Sequence, residues 1–415
     1  MSPRPKQLAF EWNLLVLVTT ALVLFGLVMV YSATSGPAAL GNTNPMSFLE
    51  RQVVYALAGV VVLLVASRMP LERLRELAPG LVVSALVLCL AVLAVGARIN
   101  GARRWIAVGS LAFQPSELAK LALVVWTAAY LARRRPPDTL KELARPLGAL
   151  VGLFALLVLL EPDLGTALTI LLMVGAILLV SGTRLPLLAS AYGIVLSLAA
   201  LAAWASPYRR DRLLVFLDPW KDPLGAGLQN VQALISLGSG GIFGRGLGQG
   251  IEKLHYLPEA HTDMIFAVIG EELGLVGVSL LIAAYCAFGY AGLRLAIGCR
   301  DPFGKRLAAG ITALVCGQAA INIAAVVGLA PLTGIPLPFV SYGGSSLVVM
   351  LAGVGILLNI ARGNGGRAAA ALPDRGRRDG RTRRARARGG GGAAAARGSR
   401  DVRRVAGARR GAARS

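Results

Sequence analysis

The chain has 415 residues, of which 55% are hydrophobic and only 15% are charged. Its mean hydropathy of +0.65 excludes an ordinary soluble domain and is typical of a polytopic membrane protein. The formal net charge of +22 points at first to nucleic acid, but 17 arginines and 3 aspartates place +14 of it between residues 362 and 415. This low-complexity stretch cannot bury a core. We therefore expect residues 363–415 to form a disordered cytoplasmic tail that contacts anionic lipid or a protein partner and binds no nucleic acid.

Ten apolar segments follow one another along the chain, and most reach the length that spans about 30 Å of hydrocarbon. Lys and Arg concentrate in alternate connections, which predicts an even number of spans with both termini in the cytoplasm. The sequence thus predicts an all-α polytopic membrane protein, with a domain over residues 1–362 and a large extracytoplasmic loop at about 206–262 between helices 7 and 8. The segments lie at about 14–31, 53–67, 79–96, 117–132, 147–160, 165–182, 186–205, 264–292, 307–329 and 345–362.

The four cysteines lie within or beside these apolar segments and have no metal-ligand spacing. They are predicted to be small core hydrophobes and to form neither disulfides nor a metal site. They are Cys89, Cys286, Cys299 and Cys316.

The stretch from His255 to Gly277 places Asp263 at the mouth of a long apolar helix, with Glu271 and Glu272 further in. Carboxylates at the edge of a membrane are costly and usually have a function or a partner. The two histidines, His255 and His261, lie beside Asp263, but no hydrolase serine motif or metal spacing accompanies them. His261 is interpreted as an orienting or helix-entry residue.

The glycine-rich stretch GSGGIFGRGLGQG, at residues 238–250, comes shortly before this helix. It lacks the Gly-Lys-Ser/Thr ending of a phosphate-binding P-loop. Two interpretations stay open: a flexible loop, or backbone packed closely against a ligand.

A second polar stretch, at residues 100–120, reads NGARRWIAVGSLAFQPSELAK. Glu117 and Lys120 are three residues apart on a predicted helix, so they share one face and can pair. One interpretation is a structural ion pair. The other places Lys120, Arg103 and Arg104 along a polar groove for a phosphate-bearing ligand.

Two further connections carry polar residues. Glu161-Pro162-Asp163 forms a very short turn, for which helix capping is favoured over a divalent cation site. Residues 328–346 carry three prolines, a glycine pair and several hydroxyls. So irregular a backbone at membrane depth predicts a re-entrant segment that lines a cavity.

Six motifs stand in the order seen in the SEDS (shape, elongation, division, sporulation) family, and the resemblance covers about residues 12–362. Members of that family are ten-span glycosyltransferases that polymerise lipid II outside the cytoplasmic membrane with a class B penicillin-binding protein. Ala260 and the Ser345-Ser346 pair resemble the division members more than the elongation members. The motifs are GARRWIAVG, FQPSELAK, EPDLGTA, GSGGIFGRGLGQG, LPEAHTDMIFAVIGEELGL and PLPFVSYGGSS.

The resemblance implies that Asp263 is the general base that deprotonates the acceptor hydroxyl. The departing pyrophosphate needs cations, for which Arg103, Arg104, Lys120 and Arg245 are the candidates. The chain departs from the family at Leu228, where Tyr is common. Further candidates for the substrate groove are Glu117, Gln229, Gln232, Ser341 and Ser345.

No cofactor is evident, and a divalent cation (Mg²⁺ or Mn²⁺) stays open. The expected partners are lipid II, the penicillin-binding protein and other division proteins, and the expected location is the septal cytoplasmic membrane with an extracytoplasmic active site. The alternatives are an elongation polymerase, a lipid II flippase and a division scaffold.

Overall fold

The computed structural model describes residues 5–39, 45–99, 102–108, 111–204, 215–225, 227–254 and 257–370. Residues Met1–Ala369 belong to one compact unit, and the second unit begins at Ala370. The predicted tail from residue 371 onward, His255 and residues 205–214 of the predicted loop lie outside the described residues.

The described chain is dominated by helices, and each predicted apolar segment overlaps one of them, but the first three helices begin eight or nine residues before the predicted starts. In chain order they are α1 (Pro5–Ala39), α2 (Pro45–Arg68), α3 (Leu71–Val95), α4 (Pro115–Ala132), α5 (Leu140–Leu143), α6 (Ala149–Leu160), α7 (Leu164–Val180), α8 (Leu185–Trp204), α9 (Leu228–Ser239), α10 (Ile265–Gly298), α11 (Pro302–Val326) and α12 (Gly344–Ala370). A π-helical turn, Ala144–Gly148, joins α5 to α6.

Seven helical segments of the described chain are long and apolar enough to cross a membrane. Two further apolar helices, Leu164–Val180 and Leu185–Leu198, are shorter. The polytopic all-α architecture is confirmed, whereas the count of ten spans stays a prediction. The seven segments are Ala9–Ser35, Met46–Arg68, Leu71–Val95, Leu140–Leu160, Ile265–Gly298, Pro302–Val326 and Gly344–Gly363.

A small antiparallel sheet between α3 and α4 was not predicted. Its strands are β1 (Ala97–Ile99), β2 (Ala102–Val108) and β3 (Leu111–Phe113), in the order β1-β2-β3. Trp105, Ile106 and Val108 favour a strand, but the run is short and contains two arginines, so it reads as a loop. The sheet places Arg103 and Arg104 on β2.

Helix α11 lies at the centre of the fold and packs against α10, α7 and α4, while α1 packs against α10. Segment 327–343, between α11 and α12, is not helical, and Ile335, Leu337, Phe339 and Val340 within it are buried. It lies close to α1, since a Cβ added to Gly26 would lie 2.5 Å from the Phe339 carbonyl oxygen. Protein therefore covers the irregular backbone, as its predicted depth requires.

Polar contacts tie α1 to α10 near both ends of the pair. At one end Arg294 Nε lies 3.4 Å from Glu11 Oε1, and at the other the Ser32 hydroxyl lies 2.8 Å and 2.7 Å from the two Glu272 oxygens. At a rise of about 1.5 Å per residue the two ties are roughly 32 Å apart, which matches the hydrocarbon thickness of about 30 Å. Exposed apolar residues on α10 run from Leu275 to Leu293, between the ties. Asp263 precedes Ile265, where α10 begins, and so lies at the same end of α10 as the Ser32–Glu272 tie.

The prediction of one continuous helix at 264–292 is wrong in one respect, because α10 is interrupted at Gly274 (φ 64°, ψ −163°). The interruption frees backbone groups that residues 241–246 bind. Arg245 N and Gly246 N donate to the carbonyls of Glu271 and Glu272 at 2.9 and 3.0 Å. Leu275 N and Val276 N donate to the carbonyls of Gly241 and Ile242 at 3.0 and 3.1 Å.

The cysteines follow the prediction in part. None of the four forms a disulfide within the described residues; Cys89 and Cys299 are buried and Cys316 is half-buried, but Cys286 is exposed. Cys286 lies on α10 between Ile282 and Tyr290, which are also exposed. The prediction of a core position for it is wrong, because apolar helix residues face lipid as readily as core.

Candidate active site

Asp263 is half-buried at the entry to α10. The hydroxyl of Thr262 donates to Asp263 Oδ1 at 3.2 Å. Asn322 Nδ2, on α11, donates to the backbone carbonyl of Asp263 and to that of Ile335, each at 2.8 Å. The amide of Asn322 thus ties the turn carrying Asp263 to the re-entrant segment.

Arg104 lies near Asp263, with Gly334 beside both. A Cβ added to Gly334 would lie 3.9 Å from Arg104 Nη1 and 4.0 Å from Asp263 Oδ2, so these two atoms are at most about 8 Å apart. The guanidinium is held from behind, since Nε donates to the Glu161 carbonyl at 2.7 Å and Nη2 donates to the Pro162 carbonyl. Gly334 (φ +70°) leaves the space next to both groups open. The structure therefore brings the predicted base and one predicted cation to one site.

The short turn beside Arg104 contains two acids with different environments. Asp163 caps α7, because its Oδ1 accepts from Thr166 N at 2.9 Å and its Oδ2 from the Thr166 hydroxyl at 2.8 Å. Capping was the favoured prediction and is confirmed. Glu161 is only 1% exposed, and neither of its carboxyl oxygens has a hydrogen-bond partner among the residues that the structure describes. Burial, reinforced by the charge of Asp163 and opposed by Arg104, raises the pKa of Glu161 to about 8.

Lys120 and Glu117 form the predicted ion pair, with Lys120 Nζ 2.9 Å from Glu117 Oε1. Both side chains are buried, and Lys120 Nζ also donates to Gln318 Oε1 at 2.6 Å. Gln318 Nε2 then donates to the Pro336 carbonyl at 2.9 Å. This chain of contacts ties α4 through α11 to the re-entrant segment. A role for Lys120 or Glu117 in the substrate groove stays a prediction.

Arg103 and Arg245, the other two predicted cations, contact other parts of the chain. Arg103 Nη1 donates to the carbonyls of Leu93 and Ala94, each at 3.2 Å, where its charge favours the C-terminal end of α3. Arg245 Nη1 lies 3.8 Å from Glu271 Oε1 in a partly exposed pair. The predicted phosphate-binding roles of these two arginines are untested.

Glu271 and Glu272 hold the glycine-rich stretch in place. Glu271 Oε1 accepts from Ile251 N at 2.7 Å, and Glu272 Oε2 accepts from Gly248 N at 3.0 Å. Lys253 Nζ lies 2.6 Å from Glu272 Oε1 in a fully buried pair. The stretch thus binds α10 of its own chain while most of its residues stay exposed, and its packing against a ligand stays a prediction.

The other groove candidates are two serines with contacts inside the chain and two glutamines on α9. The Ser341 hydroxyl accepts from Leu337 N at 2.8 Å, and the Ser345 hydroxyl accepts from Gln114 N at 3.0 Å. Gln229 and Gln232 are half-buried on α9. Substrate contacts by these four residues stay predictions.

His261 belongs to an aromatic cluster with Phe48 and Tyr342, at ring-centroid distances of 5.1 and 5.6 Å. Its backbone carbonyl accepts from Tyr342 N at 2.9 Å. Burial lowers the pKa of His261, and the nearby charge of Glu259 opposes that shift. The orienting role of His261 stays a prediction.

Among the described residues, no group of three or more His, Cys, Asp and Glu side chains is arranged to hold a metal ion. Asp163 and Glu161, the weak cation candidates, have the capping and buried positions given above. The cation requirement stays a prediction.

Sequence reasoning missed Gln318, Asn322, Lys253 and Ser32. Gln318 and Asn322 carried a usable signal, since two amides four residues apart share one face of an otherwise apolar helix. Lys253 lies in a polar loop and Ser32 is a single hydroxyl in an apolar run, so neither is distinguishable by pattern.

Comparison with known proteins finds relatives that match most of the chain. The profile of the FtsW/RodA/SpoVE family, described as cell cycle proteins, matches residues 12–365. A Geobacter sulfurreducens protein named probable peptidoglycan glycosyltransferase FtsW is 42% identical over 352 residues, covering 84% of this chain and 94% of that protein.

Two solved structures have the same fold. One comes from a study titled "Structural coordination of polymerization and crosslinking by a peptidoglycan synthase complex"; it is 33% identical, with a TM-score of 0.71, and the match covers 84% of this chain and 97% of that one. The other is the rod shape determining protein RodA of Thermus thermophilus, 32% identical with a TM-score of 0.63, covering 84% and 96%. The family match spans nearly all of the described residues, and the chain therefore belongs to the FtsW/RodA/SpoVE family of cell cycle proteins.

Proposed function

We propose that the chain is a peptidoglycan glycosyltransferase that polymerises lipid II, with Asp263 as the general base. The observation that carries this proposal is that a half-buried carboxylate and a guanidinium lie on either side of the open space at Gly334. Relatives that bear the name peptidoglycan glycosyltransferase FtsW support the reaction class.

The proposed chemistry follows from the positions of Asp263 and Arg104. The acceptor sugar hydroxyl attacks the anomeric carbon of the donor and loses its proton to Asp263, which a positioned carboxylate accelerates. The bond to the lipid pyrophosphate breaks, and negative charge grows on the departing phosphate oxygens. Arg104 is placed to stabilise that charge, because its bonds to two backbone carbonyls hold it without neutralising it.

The position of the site supports a reaction at the membrane surface. Asp263 lies at the same end of α10 as the Ser32–Glu272 tie, where the polar head of a lipid-linked sugar would lie while its chain stays in the hydrocarbon. We place both termini in the cytoplasm and the site outside the cytoplasmic membrane, because arginine and lysine are concentrated at the opposite end.

The partner and the biological setting are further proposals. The likeness to a chain studied in a peptidoglycan synthase complex supports pairing with a class B penicillin-binding protein. The FtsW-named relatives favour septal division, with other division proteins as partners, over an elongation role. A divalent cation requirement is measured by polymerisation in EDTA before and after Mg²⁺ or Mn²⁺ is added back.

The test uses purified full-length protein with its penicillin-binding partner and lipid II. We expect glycan strands on a gel. Reconstituted vesicles distinguish the polymerase from the main alternative, a flippase. Lipid II that crosses the bilayer without forming polymer would identify a flippase and overturn the proposal.

A further inference from the structure

Arg104 is anchored in the site through neutral groups alone. Both of its hydrogen bonds go to backbone carbonyls, those of Glu161 and Pro162. None of the ion pairs formed within the described residues includes Arg104. A guanidinium held in this way keeps its full charge for a ligand.

The carboxyl group of Glu161 is close enough to influence Arg104 yet does not pair with it. It is buried, and both of its oxygens lack hydrogen-bond partners among the described residues. The ionisable groups that face it are Asp163 on its own turn, Arg104 on β2 and Cys89 on α3. An ionised carboxylate buried beside a guanidinium would be expected to bind it, so the unpaired geometry is that of a neutral acid.

We propose that Glu161 is a positioning residue that stays protonated and thereby leaves the charge of Arg104 free for the pyrophosphate of the lipid-linked substrate. Ionisation of Glu161 would pair it with Arg104 and weaken substrate binding. This role of Glu161 rests on the proposed function, because it concerns an acid that must stay protonated for the lipid-linked substrate to bind.

The proposal predicts that activity falls as the pH rises and Glu161 ionises. Because the pKa of Glu161 is raised to about 8, the neutral form dominates at pH 7 and is the minor form at pH 9. We expect kcat/KM for lipid II to fall about tenfold between these two pH values, since one pKa unit on either side of the midpoint changes the protonated fraction about tenfold.

The variants separate this effect from other alkaline losses. Glu161→Gln cannot ionise, and we expect the ratio of its kcat/KM at pH 9 to that at pH 7 to be several-fold higher than in the wild type. Glu161→Asp can ionise and should keep the decline. Glu50→Gln, which removes an exposed acid near the start of α2, is the matched control and should also keep it. An equal decline in the wild type and in Glu161→Gln would overturn the proposal while polymerisation itself still stood.

A second measurement does not depend on activity. The infrared spectrum of the wild-type protein should contain the C=O stretch of a protonated buried carboxyl at pH 7, absent from Glu161→Gln and lost from the wild type at pH 9. If no such band differs between the two proteins at pH 7, Glu161 is ionised and the proposal fails, whether or not lipid II is polymerised.

Discussion

Replacing Gly274 with alanine tests how the glycine-rich stretch is bound to the break in α10. Gly274 has φ 64° and ψ −163°, a conformation that is essentially restricted to glycine. A Cβ there would lie 2.4 Å from Gly244 N and 2.5 Å from the Ile242 carbonyl oxygen. These atoms are backbone, so the side chain of a neighbour cannot move to relieve the clash.

The expected loss of stability has two parts. A non-glycine residue in this conformation costs about 1–3 kcal/mol. Displacing residues 241–246 weakens the four backbone hydrogen bonds around the break, each of which contributes roughly 0.5–1.5 kcal/mol. We therefore expect Gly274→Ala to lower the free energy of unfolding by about 3–9 kcal/mol, with the upper end reached if all four bonds are lost.

The assay is thermal unfolding of the purified protein in detergent. The matched control is Gly152→Ala in α6, where an added Cβ meets nothing within 4 Å. That variant should be as stable as the wild type or up to about 1 kcal/mol more stable, because alanine favours a helix. If Gly274→Ala unfolds at the same temperature as Gly152→Ala, the break in α10 is not held as described.

Two other predictions concern the buried ion pair and the tail. Lys120→Met leaves Glu117 buried without its cation and should destabilise the protein by about 3–5 kcal/mol. The double variant Glu117→Gln/Lys120→Met should recover part of that loss. Equal melting temperatures for the single and double variants would contradict the pairing. Truncation after Gly366 should leave polymerisation in detergent intact while weakening septal localisation, because the arginine-rich tail attracts an anionic surface only by the summed effect of many charges; a folded truncated protein that no longer polymerises lipid II would contradict this division of roles.

The sequence predicted the parts of the fold that depend on periodicity and local chemistry. The apolar segments correspond to helices, Pro115 begins α4, Asp163 caps α7, and Glu117 pairs with Lys120 at three-residue spacing. Each of these features is decided by residues near one another in the chain.

The remaining features depend on contacts between distant segments. The break at Gly274 exists because residues 241–246 bind the freed backbone groups, and nothing in an apolar helix with a single glycine predicts that partner. Arg104 is placed beside Asp263 by contacts with distant parts of the chain. The carbonyl that it binds belongs to Glu161, 57 residues further along, and Gly334, which lies beside both groups, is further still. Pattern alone likewise does not distinguish Arg104 at this site from Arg103 beside it.

The most direct test of the central claim is polymerisation of lipid II by Asp263→Asn, measured with the penicillin-binding partner beside the wild type. The variant keeps the size of the side chain and removes its ability to accept a proton. The account predicts a loss of rate of about 10²-fold or more, with an unchanged melting temperature and unchanged partner binding. Glycan strands formed by a folded Asp263→Asn protein at the wild-type rate would contradict it.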